Sequence, residues 1–131
     1  MATNPVQIQL KPFAQGFITC NAHAAYFQRV TLTWNGGGVV FQGTGENVAM
    51  TDPAGEDLYT LPASAEPLTV SAKFEYSTTG PNGPFNLAQV EEPVIHKGRS
   101  ATIIDVASED SKDNDDNDSI LSLTLIGVRN P

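Results

Sequence analysis

Apolar and polar residues alternate along most of this chain with a period of two. Val6–Leu10 alternates over its whole length, the pattern of a half-buried strand. Gly16–Ala22 and Gln28–Trp34 follow. In the second of these, Gln28, Val30, Leu32 and Trp34 share one face, and Arg29, Thr31 and Thr33 share the other. The clearest strand is Leu68–Ser77, with Leu68, Val70, Ala72, Phe74 and Tyr76 inward and Thr69, Ser71, Lys73 and Glu75 outward. Shorter strands are predicted over Val39–Gly43, Asn47–Met50, Asp57–Leu61, Phe85–Val90 and Val94–His96, with Pro93 marking an edge or a bend. Ala101–Ala107 and Ile120–Ile126 complete the set. Turn chemistry separates them, at Asn35-Gly36-Gly37-Gly38, Asp52-Pro53-Ala54-Gly55 and Thr79-Gly80-Pro81-Asn82-Gly83-Pro84. No segment reads as a long amphipathic helix. The expectation is an all-β fold: one domain spanning residues 1–131, an antiparallel β-sandwich of about nine short strands in Greek-key style. Alternation puts Trp34 and the phenylalanines in the core.

Composition narrows the function without naming it. Across 131 residues, 40% are hydrophobic and 17% charged, as in a globular protein. A net charge of −8 disfavours nucleic acid and anionic membranes as partners. No apolar run is long enough for membrane insertion. Met1-Ala2-Thr3-Asn4-Pro5 lacks a basic stretch leading into an apolar core, so no secretory signal is visible. Cytoplasmic synthesis, with release by a leaderless route or by lysis, would reconcile this with a site outside the cell. The single cysteine, Cys20, excludes an internal disulfide and a multi-cysteine zinc site, and its strand context reads as core.

Charge is distributed very unevenly. Seven of the fifteen acidic residues fall between Asp105 and Asp118, and Lys112 alone offsets them locally. Two unit charges at 4 Å interact by about 4 kcal/mol at an effective dielectric near 20. A folded loop holds such a run only with a counter-charge, and all-oxygen donors select a hard cation such as calcium. A solvated acidic loop is the alternative, but this run is pinned between two strands rather than trailing from an end. Asp113, Asp115 and Asn117 match the first, third and fifth positions of an EF-hand loop. Asp118 stands where its glycine belongs, Thr124 where its bidentate glutamate belongs, and strands flank the loop in place of helices, so that reading fails. Glu109, Asp113, Asp115, Asn117 and Asp118 offer more oxygens than one ion needs, since calcium takes roughly six to eight. Their four carboxylates would balance two calcium ions.

The run Glu109-Asp110-Ser111-Lys112-Asp113-Asn114-Asp115-Asp116-Asn117-Asp118 resembles the calcium-binding loop of the bacterial calcium-mediated lectins for fucose and mannose, the soluble lectin II type known from Pseudomonas. Ile18-Thr19-Cys20-Asn21-Ala22-His23-Ala24-Ala25-Tyr26, leading into Gln28–Trp34, is similar to that family's early strand–loop–strand. The resemblance implies a nine-stranded sandwich carrying two calcium ions at its edge, with a sugar's vicinal hydroxyls bound directly to both. It implies Glu109, Asp113, Asp115, Asn117 and Asp118 as metal ligands. The carbohydrate contacts it implies are Asp110, Asp113, Asp115, Asn117, Lys112, His23 and Ala24, with Asp110 accepting a hydrogen bond from a sugar hydroxyl. It also implies a homo-oligomer that binds a monosaccharide or glycan.

The chain departs from that pattern at three places. His23, Ala24 and Ala25 replace an asparagine ligand and two small polar residues. Ser111 replaces a glycine, placing Lys112 where specificity is tuned. The tail Gly127-Val128-Arg129-Asn130-Pro131 extends beyond the family's terminal glycine, whose carboxylate reaches a neighbouring subunit's calcium.

Other readings remain beside this one. A calcium-stabilised structural or adhesion module without sugar binding is favoured by the altered His23-Ala24-Ala25 segment. An enzyme is not expected: no triad partner stands out for His23 or His96, and Glu109 and Asp110 are strand neighbours pointing to opposite faces. A glycosidase needs two carboxyls flanking a bond, about 5–10 Å apart. His23 could serve as a pH-sensitive neighbour of the metal, while His96 reads as a surface strand end. Asn117-Asp118-Ser119 fits the N-glycosylation pattern by coincidence, and Tyr26 is the aromatic expected nearest a ligand.

Overall fold

A computed structural model describes residues 2–109 and 118–128, and among these it forms ten strands and no helix. They are β1 (Val6–Leu10), β2 (Gln15–Trp34), β3 (Gly37–Ala49), β4 (Tyr59–Leu61) and β5 (Leu68–Ser77). After these come β6 (Asn86–Leu87), β7 (Gln89–Val90), β8 (Val94–Lys97), β9 (Ala101–Glu109) and β10 (Ser119–Ile126). All pairings are antiparallel, along the path β1-β5-β2-β10-β9-β7, with β3, β4, β6 and β8 attached to its sides.

The eleven predicted segments become ten strands because two pairs of them merge and one divides. Gly16–Ala22 and Gln28–Trp34 are the two halves of β2, a single strand of 20 residues. Val39–Gly43 and Asn47–Met50 are likewise joined in β3, which reaches Ala49, and Phe85–Val90 splits into β6 and β7 around the buried Ala88.

The length of β2 is what makes the sandwich. Its first half pairs with β10, from Gln15↔Ile126 to Ala22↔Ser119. Its second half pairs with β5, from Phe27↔Ser77 to Thr33↔Ser71. One strand therefore belongs to both layers, and the change of partner falls at His23–Tyr26. Opposite this corner the register with β3 slips twice, between Ala22 and Ala24 and between Ala24 and Gln28. β3 accommodates the slips with positive φ at Gly45 (120°) and Asn47 (54°), two residue types that tolerate the left-handed region.

The core lies between the layers. Val6, Ile8 and Leu10 of β1, Val30 and Leu32 of β2, and Val70, Ala72 and Phe74 of β5 meet Ile104 and Val106 of β9 and Leu121, Leu123 and Leu125 of β10. Each large side chain fully buried here contributes about 1.5–3 kcal/mol relative to exposure. Alternation predicted this set well, with a correction for the aromatics. Phe13, Phe41 and Phe74 are core, but Phe17, Phe27 and Phe85 are only half-buried. Phe27 and Phe85 instead pack edge to face on the outer surface, where Arg29 lies 3.6 Å above the Phe85 ring. Trp34 packs against the edge of the core and Tyr59. Cys20 is buried, as its strand context implied.

The segment before β1 ties the two ends of the strand path, β1 and β7, together. Ala2 bridges to Val90 of β7, and the Asn4 side-chain amide donates to the carbonyls of Phe74 and Ala88 while its oxygen accepts from the Phe74 amide.

Candidate functional site

β9 and β10 are the arms of a hairpin whose connection is the acidic run. The register carries Ser108↔Ser119 as its last pair, so Glu109 and Asp118 stand next outward, at the root of the loop. Both are buried, Glu109 to 7% exposure and Asp118 to 2%. Beneath them the Ser108 and Ser119 hydroxyls, also buried, share a hydrogen bond. A carboxylate is rarely buried without hydrogen-bond donors or an opposite charge, because desolvation penalises the ionised form.

Backbone bonds tie this root to the corner of β2. The Asp118 amide donates to the Ser108 carbonyl at 2.8 Å, and the His23 amide donates to the Asp118 carbonyl at 2.8 Å. The early segment and the acidic hairpin, nearly a hundred residues apart in sequence, therefore meet at one edge of the sandwich. Side chains from β2 and β3 then fix the corner where ladder partners are lost. The Thr44 hydroxyl lies 3.0–3.3 Å from the carbonyl oxygens of Ala24, Ala25 and Tyr26. Buried Gln28 donates its amide to the Tyr26 carbonyl at 3.1 Å.

His23, half-buried, and Ala24, buried, sit in this corner beside Asp118; Ala25 is exposed. Tyr26 is 38% exposed and stacks on Tyr76 with ring centroids 5.9 Å apart. Of the predicted metal ligands, Glu109 and Asp118 are brought together, while Asp113, Asp115 and Asn117 lie outside the described residues, as do the predicted sugar contacts Asp110 and Lys112. Of the tail, Gly127 and Val128 are described and Arg129–Pro131 are not. Among the described residues no group of three or more His, Cys, Asp or Glu is placed to hold a metal. Glu109 and Asp118 would act with the loop's other carboxylates. Their oxygens suit a hard divalent cation. Cys20, the one thiol, is in the core, where burial pushes its pKa far up and keeps it from binding metal as a thiolate.

Thr44, Gln28, Ser108 and Ser119 were not legible as site-forming residues. Hydroxyls and amides of this kind form no pattern in sequence, and their partners depend on a register set by distant strands. His96 is exposed on β8, as expected of a surface strand end, with its Nε2 3.5 Å from Asp105.

The fold and this edge define a class. Similar solved structures are bacterial lectins. A Chromobacterium violaceum lectin in complex with alpha-methyl-fucoside matches with a TM-score of 0.70 at 17% identity, over 94% of this chain and 96% of that one. A Ralstonia solanacearum high-affinity mannose-binding lectin matches with a TM-score of 0.65 at 20% identity, over 90% of this chain and 93% of that one. The C-terminal domain of a Burkholderia cenocepacia lectin matches with a TM-score of 0.60 at 19% identity, over 95% and 97% of the two chains. Comparison with curated proteins gave no significant match. The family model for fucose-binding lectin II (PA-IIL) matches residues 8–127, and the chain belongs to that family.

Proposed function

We propose that this protein is a non-enzymatic, calcium-dependent lectin whose acidic loop holds one or two calcium ions that bind sugar hydroxyls directly. The observation that carries the reading is the join at Asp118, a buried carboxylate at the loop root whose backbone is bonded to both Ser108 and His23. Loop and early segment thereby form one site, at the edge where the family resemblance places its ligand. Glu109, Asp113, Asp115, Asn117 and Asp118 would hold the ions, and Asp110, Lys112, His23 and Ala24 would border the sugar. Calcium supplies open coordination positions that neutral hydroxyls can fill. The protein's part is to hold the carboxylates close despite their repulsion and to fix the loop root with buried hydrogen bonds.

Fucose-type and mannose-type sugars are the ligands to try first, given the sugars in the titles of the Chromobacterium and Ralstonia structures. A second reading, a calcium-stabilised module without sugar binding, is favoured by Ala24, which is buried and carries no hydroxyl. Glycan-array binding with and without chelator separates the two. Chelator-sensitive sugar binding is expected. A chelator effect on thermal stability with no sugar bound would favour the module, and no calcium bound at millimolar concentration in equilibrium dialysis would overturn both. Asp118→Asn should weaken calcium binding by at least tenfold in the same dialysis experiment.

A further inference from the structure

Two tyrosines stand at the edge of the sandwich that carries the acidic loop. Tyr26, at the β2 corner, is 38% exposed, and its ring lies over that of Tyr76 near the end of β5, with the two planes 17° from parallel. Tyr76 packs in turn against the core. Asn86 of β6 is the direct cross-strand partner of Tyr76 and so shares its face, which sets an exposed carboxamide beside the tyrosine pair.

The pair is tied to the loop root from two sides. On one side, Tyr26 lies three residues beyond His23, whose amide donates to the Asp118 carbonyl. On the other, Asn86 lies three residues before Gln89, which pairs with Glu109 in the β7–β9 ladder. Three residues of fully extended chain span at most about 10 Å. A disaccharide with one ring held at the loop can therefore lay its other ring on Tyr26. The corner is also fixed in advance. The Thr44 hydroxyl lies against the Ala24, Ala25 and Tyr26 carbonyls, the Gln28 amide donates to that of Tyr26, and the Tyr26 ring rests on Tyr76. Little conformational freedom is left for a ligand to remove.

We infer that Tyr26, with Tyr76 behind it and Asn86 beside it, forms a subsite for a second sugar ring. The ligand is then a glycan of at least two pyranose residues, one on calcium and its neighbour on Tyr26. A tyrosine face is the negative side of the ring quadrupole. The C–H groups on one face of a pyranose form a flat apolar patch of partial positive charge, and they stack on such a ring. The pyranose hydroxyls point outward around the rim, where a carboxamide can both donate and accept. This subsite rests on the calcium-lectin reading above and adds to it a selection of oligosaccharide over monosaccharide.

Calorimetric titration of the full chain in calcium tests this, comparing methyl α-mannoside and methyl α-fucoside with the α-linked mannobioses and fucosyl-galactose. At least one disaccharide should bind about fivefold more tightly than its monosaccharide, the scale of a single ring stack. Tyr26→Leu keeps apolar bulk over Tyr76 but loses the flat face. It should abolish the gain while monosaccharide affinity, calcium affinity and the thermal midpoint stay at the parent's values, and Tyr26→Phe should retain the gain. Ring-current shifts of the second ring's C–H protons in NMR spectra should disappear in Tyr26→Leu. Monosaccharide binding with no gain for any disaccharide would overturn the subsite and leave the lectin reading standing. So would a gain that survives Tyr26→Leu. Equal loss of monosaccharide and disaccharide affinity in that variant would overturn it too, because Tyr26 would then only support the corner. No saccharide binding in calcium would overturn the subsite and the lectin reading together.

Discussion

The buried hydroxyl pair under the acidic loop allows a sharp test of how the site is built. Ser108 and Ser119 are at or below 1% exposure, and their hydroxyls bond to each other. Replacing either one with alanine strands the other hydroxyl in a place water cannot reach, at a cost of about 1–3 kcal/mol. Replacing both removes the polar groups together and leaves two methyls facing each other. The double variant should therefore lose less than the sum of the single losses, with a coupling of about 1–3 kcal/mol. Urea unfolding followed by the fluorescence of Trp34, the only tryptophan, measures all four proteins. Chelator should be present throughout so that ion binding does not contribute to apparent stability. At this chain length each kcal/mol shifts the thermal midpoint by about 3–5 °C. Strict additivity would refute the reasoning, because it would mean that each hydroxyl satisfies itself without the other.

Other measurements probe the core and the corner. Phe74→Ala should destabilise by about 3–5 kcal/mol, since Phe74 is fully buried at the centre of β5; a loss under 1 kcal/mol in the same urea assay would count against the core as described. Thr44→Val should cost about 0.5–1.5 kcal/mol and weaken calcium binding, because the Ala24–Tyr26 carbonyls lose the hydroxyl that fixes the corner beside Asp118. Unchanged calcium affinity in dialysis would separate the corner from the ion site. Cys20 should resist iodoacetamide at pH 8 until the protein unfolds, since burial raises its thiol pKa and denies access; fast labelling of the native protein would contradict this.

Where one face of a strand is buried and the other is wet, the sequence reveals the strand directly. Val6–Leu10 and Leu68–Ser77 match β1 and β5 residue for residue because every second side chain is inward. The continuity of β2 was hidden because His23–Tyr26 lack alternation, their backbone being held by Thr44 and Gln28 around a single ladder pair, Ala24↔Gly45. Glu109 and Asp118 were legible from carboxylate density alone, since like charges accumulate at such cost only where something offsets them. The hydroxyl pair beneath them was not, because serines eleven residues apart meet only once the hairpin register is set.

Because β2 is stitched into both layers, neither layer can come apart alone. Melting the β5 side strips the second half of the same chain segment whose first half supports β10. Amide protons along Gln15–Trp34 should therefore exchange as a single block, at the rate of global unfolding, on either side of the corner. The hairpin root, where Ser108 pairs with Ser119, would inherit that protection until the whole molecule opens.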